Sequence, residues 1–306
     1  MNAVLQAHAL GKRYGQHQAL ADCTLEIPPG HVVGLVGPNG AGKTTLLKIA
    51  CGMLAPTTGR IEVLGEQPNG GTAQLARVGY VAQDTPTYGS LSVADHLKFG
   101  AKMNPAWDAK LAQARVEQLG LNPKQKAGKL SGGQRAQLAL TVAVAKRPEL
   151  LILDEPVSSL DPLARRDFLR HLMESVAEHD TSVILSSHLV SDLERVCDYL
   201  VVLVSSRVQL AGETDDLLAR HHRIVCTRRQ ASDLPAGLEV IWAEHTDRQS
   251  RFVVRSEREL PAGDWSAEHL ELESLVLTYM ERAVDTGRRA VDAGGRTTIQ
   301  PTGEAR

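Results

Sequence analysis

Long hydrophobic runs are missing from this sequence. The longest aliphatic stretches, ELLIL and YLVVLV, are far shorter than the roughly 18 apolar residues that a membrane-spanning helix needs. The N-terminal MNAVLQAHALGKRYG lacks the apolar centre of a signal peptide. Positive charge is not in surplus either, since 34 Lys and Arg residues face 36 acidic residues, which argues against a dedicated nucleic-acid binder. We therefore expect a cytoplasmic protein that has no nucleic-acid partner and reaches a membrane only through another protein.

Cysteine is also sparse. Cys23, Cys51, Cys197 and Cys226 are scattered without the paired spacing of a zinc site, and nothing in the sequence suggests secretion. We expect four reduced thiols. What the chain does have is 306 residues of which 42% are hydrophobic, enough to build one large domain or two smaller ones.

Uninterrupted aliphatic segments indicate a core sheet. HVVGLV, ELLILD, SVILSSH and YLVVLV are typical of strands that are covered on both faces, and such strands form mostly parallel sheets. Short β-like segments such as VLQAHAL and CTLEI precede them. Between about residues 92 and 146 the chain is rich in helix formers, which predicts a helical insertion.

The composition changes after about residue 220. HHRIVCTRR, LEVIWAEH and RFVVRS predict a small β unit, followed by one helical apolar stripe. The stripe contains Leu272, Leu275, Val276, Tyr279 and Met280. We predict a small C-terminal α+β domain over residues 221–284 and a disordered tail over 285–306, because the tail is rich in Gly, Thr and charge.

The segment VGPNGAGKTT, residues 36–45, carries the clearest chemistry. It fits G-x-x-x-x-G-K-[ST] between a predicted strand and a predicted helix. Its glycines let successive backbone N–H groups point inward at a helix N-terminus, which creates a phosphate site. Lys43 would reach the β- and γ-phosphates of a nucleotide, and the Thr44 hydroxyl would bind Mg²⁺. The glycine spacing does not fit a dinucleotide site, but the motif alone leaves kinase, GTPase and transport ATPase open.

A second motif, LSGGQ at Leu130–Gln134, opens a helix rich in Ala and Leu. With this motif, the chain over about residues 3–218 resembles the ATP-binding cassette (ABC) ATPases, whose signature it is, and the other family segments follow in family order. The resemblance implies an α/β fold: a P-loop NTPase core of the ABC type within residues 1–220, with an antiparallel β subdomain and a helical insertion at about 92–146. The 221–284 domain would be an extension of that core.

The resemblance also implies roles for single residues. Tyr14 in KRYG would stack on adenine, and Gln83 in VAQD would sense Mg²⁺ and the attacking water. In LLILDEP, Asp154 would hold Mg²⁺ through water and Glu155 would polarise the attacking water. His188 in SSH would contact the γ-phosphate. The implied catalytic residues are Glu155, His188 and Gln83, and the implied Mg²⁺ ligands are Thr44, Gln83 and Asp154. The residues implied to bind the nucleotide are Tyr14, Gly37, Pro38, Asn39, Gly40, Ala41, Gly42, Lys43, Thr44, Thr45, Ser131, Gly132, Gly133, Gln134 and Asp161.

Each of these residues also has an ordinary structural explanation. Tyr14 could be an aromatic residue of an edge strand, Asp154 could cap the following segment, and His188 could be a polar residue at a strand end. It is their order along one chain that favours the functional interpretation, in which ATP and Mg²⁺ are bound.

In the ABC family the LSGGQ loop completes the site of a second subunit. The resemblance therefore implies that Ser131, Gly132 and Gly133 bind the γ-phosphate held by another ATP-binding subunit, giving a two-fold dimer around two ATP molecules. The intact Glu155 and His188 favour a homodimer.

The segments LSGGQRAQLAL and LARRDFLRHLM are most similar to those of multidrug or antibiotic exporters whose permease is a separate chain. Val157 and Ser159 depart from the commoner family residues.

Three functions remain to be compared. The first is the ATP-hydrolysing subunit of a transporter, peripheral on the inner face of the cell membrane and bound to an integral membrane permease. The second is a soluble ABC ATPase of translation or DNA repair. Translation factors usually carry two cassettes and chromosome-maintenance ATPases a long coiled coil, whereas about 85 residues separate Thr44 from Leu130 here. A P-loop kinase would leave LSGGQ and His188 unexplained. The transported substrate cannot be read from the sequence, and neither can the role of the C-terminal domain.

Overall fold

The computed structural model describes residues 3–69, 71–177 and 180–294, with side chains as far as Asp285. The chain divides into two compact units, and the division falls between Ala219 and Arg220. That position lies next to the change in composition at about residue 220. No helix within the described ranges has both the length and the apolar character that a membrane span requires.

The first unit contains nine strands and eight α-helices within the described residues. The strands are β1 (Leu5–Tyr14), β2 (His17–Ile27), β3 (Val32–Val36), β4 (Thr58–Val63), β5 (Val78–Val81), β6 (Leu150–Asp154), β7 (Ser182–Ser187), β8 (Tyr199–Val204) and β9 (Arg207–Glu213). The helices are α1 (Lys43–Ala50), α2 (Thr72–Arg77), α3 (Val93–Met103), α4 (Ala109–Gln118), α5 (Gly132–Ala145), α6 (Pro162–Ala177), α7 (Val190–Leu193) and α8 (Thr214–Arg220), the last of which ends at the first residue of the second unit.

A six-stranded sheet of order β5-β6-β7-β3-β8-β9 forms the centre of this unit. The first five strands in that order are parallel, and β9 pairs with β8 as an antiparallel hairpin. Every residue of β3, β6, β7 and β8 is buried, which explains why these strands read as continuous aliphatic runs. Because parallel strands share a direction, the carboxyl ends of β3, β5, β6 and β7 meet at one edge of the sheet.

A separate antiparallel sheet of order β2-β1-β4 lies beside this core. Its buried side chains, among them Leu5, Leu20 and Leu25, belong to the same hydrophobic cluster as Leu47 of α1 and Leu35 of β3. The turn between β1 and β2 pairs Tyr14 with His17. The shared core therefore fixes this turn relative to the loop that precedes α1.

Helices α3, α4 and α5 occupy the predicted helical insertion. Each begins with a side-chain cap: Ser92 and Asp95 form a reciprocal capping box on α3, Asp108 caps α4, and Ser131 and Gln134 form a capping box on α5. Their apolar faces enclose a small core of their own, whose buried residues are Val93, Val116, Leu121, Ala127, Leu130 and Leu138.

The second unit is α+β. Its strands β10 (His221–Thr227), β11 (Glu239–His245), β12 (Gln249–Arg255) and β13 (Trp265–His269) form an antiparallel sheet of order β11-β12-β10-β13, and helix α9 follows (Leu272–Gly294). Four of the five predicted stripe residues are buried and Met280 is half-buried. Buried His221 and Tyr279 join sheet and helix through a hydrogen bond of 2.8 Å between Nε2 and Oη.

The predicted disordered tail needs a correction at its start. Helix α9 continues through residues 285–294, where the sequence predicted disorder. The physical reason is that RRAVDA consists largely of residues compatible with a helix, which extend an already nucleated helix at little cost in spite of the flanking glycines. The rest of the predicted tail, 295–306, lies outside the described residues.

The structure agrees with the expectation of four reduced thiols. All four cysteines are free and buried. Burial raises the pKa of the Cys51 thiol to about 12, so this thiol stays protonated at neutral pH.

Helix α9 offers a matched test of the C-terminal core. Leu275 is fully buried at 0% exposure, whereas Leu277 on the same helix is 49% exposed. We expect Leu275→Ala to destabilise the unit by about 2–5 kcal/mol, because it removes buried methyl groups and leaves a cavity, while Leu277→Ala changes little. Urea unfolding followed by Trp fluorescence measures both. Equal losses for the two variants would show that α9 does not pack as described.

Candidate functional site: the cavity at the glycine loop

The loop between β3 and α1 needs glycine at defined positions. Gly40 and Gly42 have φ values of 80° and 107°, in the left-handed region that side chains avoid. A Cβ on Gly42 would collide with the Ala19 carbonyl oxygen, and one on Gly37 with that of Leu203. The loop therefore wraps tightly against neighbouring backbone and turns into α1, which begins at Lys43.

A cavity of about 460 Å³ lies at the carboxyl edge of the sheet. It is lined by Tyr14, His17, Ala19, Asn39, Gly40, Ala41, Gly42, Lys43, Thr44, Thr45, Gln83, Glu155, Ser158 and His188. Eleven of these residues were predicted as site residues from the sequence. They converge because Gln83 follows β5, Glu155 follows β6 and His188 follows β7, all at the edge where β3 enters the glycine loop.

Lys43 and Glu155 form the electrostatic centre of the cavity. The Lys43 side chain is only 5% exposed, and its Nζ donates a hydrogen bond of 2.7 Å to the Gly37 carbonyl. The same Nζ lies 3.2 Å from Glu155 Oε1. The other carboxylate oxygen of Glu155, Oε2, lies 3.1 Å from His188 Nδ1. Glu155 thus bridges the lysine of the glycine loop and the histidine that follows β7.

Asp154 lies behind the cavity and is 1% exposed. The Thr44 hydroxyl donates to Asp154 Oδ1 over 3.1 Å, and the Ser186 hydroxyl donates to the same oxygen over 2.9 Å. Ser186 Oγ in turn accepts the Glu155 backbone N–H at 2.9 Å. Glu155 has a φ of 45°, an uncommon conformation for a residue with a side chain. Ser186 therefore holds both adjacent acids, including one in a strained backbone position.

Four residues of this site were missed by the sequence reasoning: His17, Ala19, Ser158 and Ser186. His17 pairs with Tyr14 across the hairpin turn, so its place in the register was a usable signal. Ser186 immediately precedes Ser187 and the predicted His188. Its contact with Asp154 depends on the alignment of β6 and β7, which the sequence does not reveal.

The signature residues and Asp161 do not line this cavity. Ser131 Oγ accepts the Gln134 N–H at 3.2 Å and Gln134 Oε1 accepts the Ser131 N–H at 3.0 Å, so these two side chains cap α5. Asp161 accepts the backbone N–H groups of Leu163 and Ala164, each at 3.0 Å, and so caps α6. These residues stabilise helix starts whatever else they do.

Known proteins resemble much of this chain. The ABC transporter family model matches residues 20–158. The Nod factor export ATP-binding protein I of Cupriavidus metallidurans is 32% identical over 227 residues, covering 71% of this chain and 74% of its own. The chain belongs to the ABC transporter ATP-binding subunits. The sulfate/thiosulfate import ATP-binding protein CysA of Gloeobacter violaceus is 36% identical over 66% of this chain and 60% of its own.

A solved structure supports the same fold. The ATP-binding subunit of an ABC transporter superposes with a TM-score of 0.64 at 28% identity, over 71% of this chain and 92% of its own. The predicted P-loop fold of the ABC ATPases is therefore confirmed.

Substitution of Ser186 tests whether this residue positions the two acids of the site. Ser186→Ala leaves the Glu155 N–H without its partner and removes one hydrogen bond from Asp154. We expect kcat for ATP hydrolysis to fall at least tenfold with little change in KM, since one buried unpaired group costs about 1–3 kcal/mol. Ser186→Thr retains the hydroxyl and should retain most activity. Wild-type kcat in the alanine variant would show that Ser186 does not position the acids.

Proposed function

We propose that this ABC ATP-binding subunit hydrolyses Mg-ATP as a homodimer and uses the closure of that dimer to drive a separate permease in export. The observation that carries the proposal is the convergence of Lys43, Thr44, Glu155 and His188 on one cavity built around a glycine loop. Membership of the family identifies the chain as an ATP-binding subunit. Hydrolysis by the named residues, the dimer type, the coupling and the direction are our inference.

Nucleotide binding would use the two ends of the cavity. Tyr14, 46% exposed at one end, offers a ring for the adenine, and Lys12 Nζ lies 5.4 Å from that ring centroid. At the other end, the N–H groups that precede α1 would bind the phosphates. Lys43 would exchange Gly37 and Glu155 for phosphate oxygens. That exchange would release Glu155 from its ion pair at the moment when ATP is bound.

The donor set suits Mg²⁺. The Thr44 hydroxyl and the Asp154 carboxylate lie 3.1 Å apart and offer hard oxygen ligands, and Mg²⁺ commonly takes its remaining ligands from phosphates and water. Mg²⁺ would neutralise charge that develops on the transferred phosphoryl group. Gln83 lines the same cavity from the loop after β5, where it could respond to the attacking water.

The hydrolytic step would depend on the two residues already in contact. Glu155, once free of Lys43, would orient the attacking water and accept its hydrogen bond. His188 would contact the γ-phosphate while its Nδ1 keeps Glu155 in place. Little covalent chemistry is required of the protein, because phosphoryl transfer depends mainly on positioning and electrostatic stabilisation.

A second copy would complete the site. Ser131, Gly132 and Gly133 lie outside the chain's own cavity, and the chain has one full set of motifs, so a two-fold dimer would place the signature of each copy against the ATP of the other. Since Glu155 and His188 are both present, two identical chains would give two complete sites.

The dimer is testable by separating closure from chemistry. Glu155→Gln removes the charge that activates water but not the phosphate contacts, so we expect it to accumulate an ATP-bound dimer in light scattering with saturating Mg-ATP. Wild type should return to monomer as ATP is consumed. Ser131→Arg in the Glu155→Gln background should stay monomeric, because its long side chain fills the space that the partner's phosphate must occupy. A double variant that still dimerises on ATP would refute the sandwich.

A surface between Gln83 and Lys102 would receive the permease. Tyr88 is 61% exposed and Phe99 47%, and their rings meet edge to face at 5.9 Å between centroids. The loop is held rigidly, since His96 Nε2 accepts the Tyr88 N–H at 3.0 Å and Nδ1 lies 2.8 Å from the Ser92 carbonyl. A preformed aromatic surface next to the loop of Gln83 suits a cytoplasmic helix of the permease, which would move as the ATP site closes. The other interpretation is that Tyr88, Leu91 and Phe99 only pack the insertion onto the core.

The direction of transport is inferred from sequence similarity. One relative carries an export name and another an import name, so export rests on the similarity of LSGGQRAQLAL and LARRDFLRHLM to exporter cassettes and on the exporter relative. Inverted membrane vesicles that contain the chain and its permease should accumulate the transported compound with ATP. Uptake into right-side-out cells driven by the same pair would contradict export.

The docking surface gives its own prediction. When the chain is co-expressed with the membrane protein encoded beside it, wild type should co-purify and show partner-dependent ATP hydrolysis. Tyr88→Glu should lose both while retaining ATP binding, because it places a charge in an apolar contact. Met53→Glu, at a residue that is also exposed (55%), is the matched control and should couple normally. A wild-type chain that binds no membrane subunit and sediments with ribosomes or DNA would favour the soluble alternative.

A further inference from the structure

A second cavity of about 350 Å³ lies between helices α6 and α7 and the turn that follows α7. Four arginines line it: Arg165, Arg166, Arg170 and Arg195. Asp192 is the one carboxylate among its lining residues. The lining thus has a formal charge of +3, although the whole chain is close to neutral at −2. The positive charge is a local property of this cavity.

The arginines are poorly neutralised by the protein. Arg165 NH1 lies 3.6 Å from Asp192, a long contact, and the buried Arg165 Nε has no hydrogen-bond partner among the described residues. Arg170 pairs with Asp167 on the exposed surface of α6. Arg166 and Arg195 are exposed to solvent, and among the described residues neither forms an ion pair, so both guanidinium groups are available to a ligand. A buried N–H without a partner is unusual and costs free energy, which an anionic ligand would recover.

The cavity also has apolar lining residues. They include Leu169 and Met173 of α6 and Val196 after α7. Guanidinium groups bind phosphate oxygens through two parallel hydrogen bonds and also stack on planar rings. A cavity of this size, lined by both apolar and charged side chains, is within the range of small-molecule sites.

We propose that this cavity, which we call the arginine cavity, binds a small organic phosphate, with the phosphate held by Arg165, Arg166 and Arg195 and the organic part on Leu169 and Met173. It is separate from the ATP cavity and shares no lining residue with it. An acidic peptide of a partner protein is the competing occupant. The volume of about 350 Å³ favours the small molecule, because it lies at the lower end of the range of small-ligand sites.

The test is calorimetric titration of the full chain in saturating Mg-ADP, whose binding is measured first so that a failure at the P-loop is seen separately. The probes are AMP, inorganic phosphate, adenosine and a hexaglutamate peptide. We expect one AMP per chain, bound more tightly than inorganic phosphate, and no heat from adenosine or hexaglutamate. This order follows because AMP alone among the probes has both a phosphate and a planar aromatic base, which guanidinium groups bind and stack on.

Variants locate the site. Arg166→Ala with Arg195→Ala should weaken AMP binding at least tenfold, whereas Arg60→Ala, an exposed arginine of β4, should not change it. Unchanged melting temperature and ATP hydrolysis in the double variant would show that it folds. The proposal is overturned if AMP gives no heat beyond the Mg-ADP site, if the double variant binds AMP as wild type does, or if hexaglutamate binds more tightly than AMP, which would make the cavity a peptide site.

Discussion

The buried charge of Lys43 is the constraint on which the proposed catalytic site depends. An ammonium group that is 5% exposed must be paired, because a lone buried charge is costly. Its partners are the Gly37 and Pro38 carbonyls of its own loop and the carboxylate of Glu155, which follows β6. The pair ties the loop after β3 to the loop after β6, and His188 extends the link to β7. Phosphates of ATP can replace these partners without leaving the lysine unpaired.

The fold supports this centre in two ways. The parallel order of β5, β6, β7 and β3 brings their carboxyl ends together, so residues from distant parts of the chain meet in one cavity. Ser186 then fixes the two acids relative to each other. Helix capping by Ser131 and Asp161 gives the signature and the segment after β6 defined shapes, so the surfaces assigned to a partner are structured in a single chain.

Much of the fold was predictable because its signals are local. Uninterrupted aliphatic runs predicted the buried strands. The residue types and spacing of the glycine loop predicted a phosphate site. Tyr14, Gln83 and His188 were found through their resemblance to a family, and the structure places each on the cavity. Ser186 and the arginine cavity were not found, because each depends on contacts between distant segments. The sequence interpretation placed the end of helix α9 too early. Glycine and charge predicted disorder after residue 284, whereas an established helix continues through such residues at little cost.

In the proposed dimer each ATP site is shared between two chains, with the P-loop of one facing the signature of the other. Mixing two inactive variants would reveal such a shared site. A Lys43→Ala chain lacks a working P-loop and a Ser131→Ala chain lacks the signature hydroxyl without adding bulk to the interface, so each alone should hydrolyse little ATP. Their mixed dimer contains one site with neither defect. The measured rate of Mg-ATP hydrolysis should therefore rise on mixing well above the sum of the separate rates. A mixture that shows only that sum, although cross-linking demonstrates mixed dimers, would contradict the shared site.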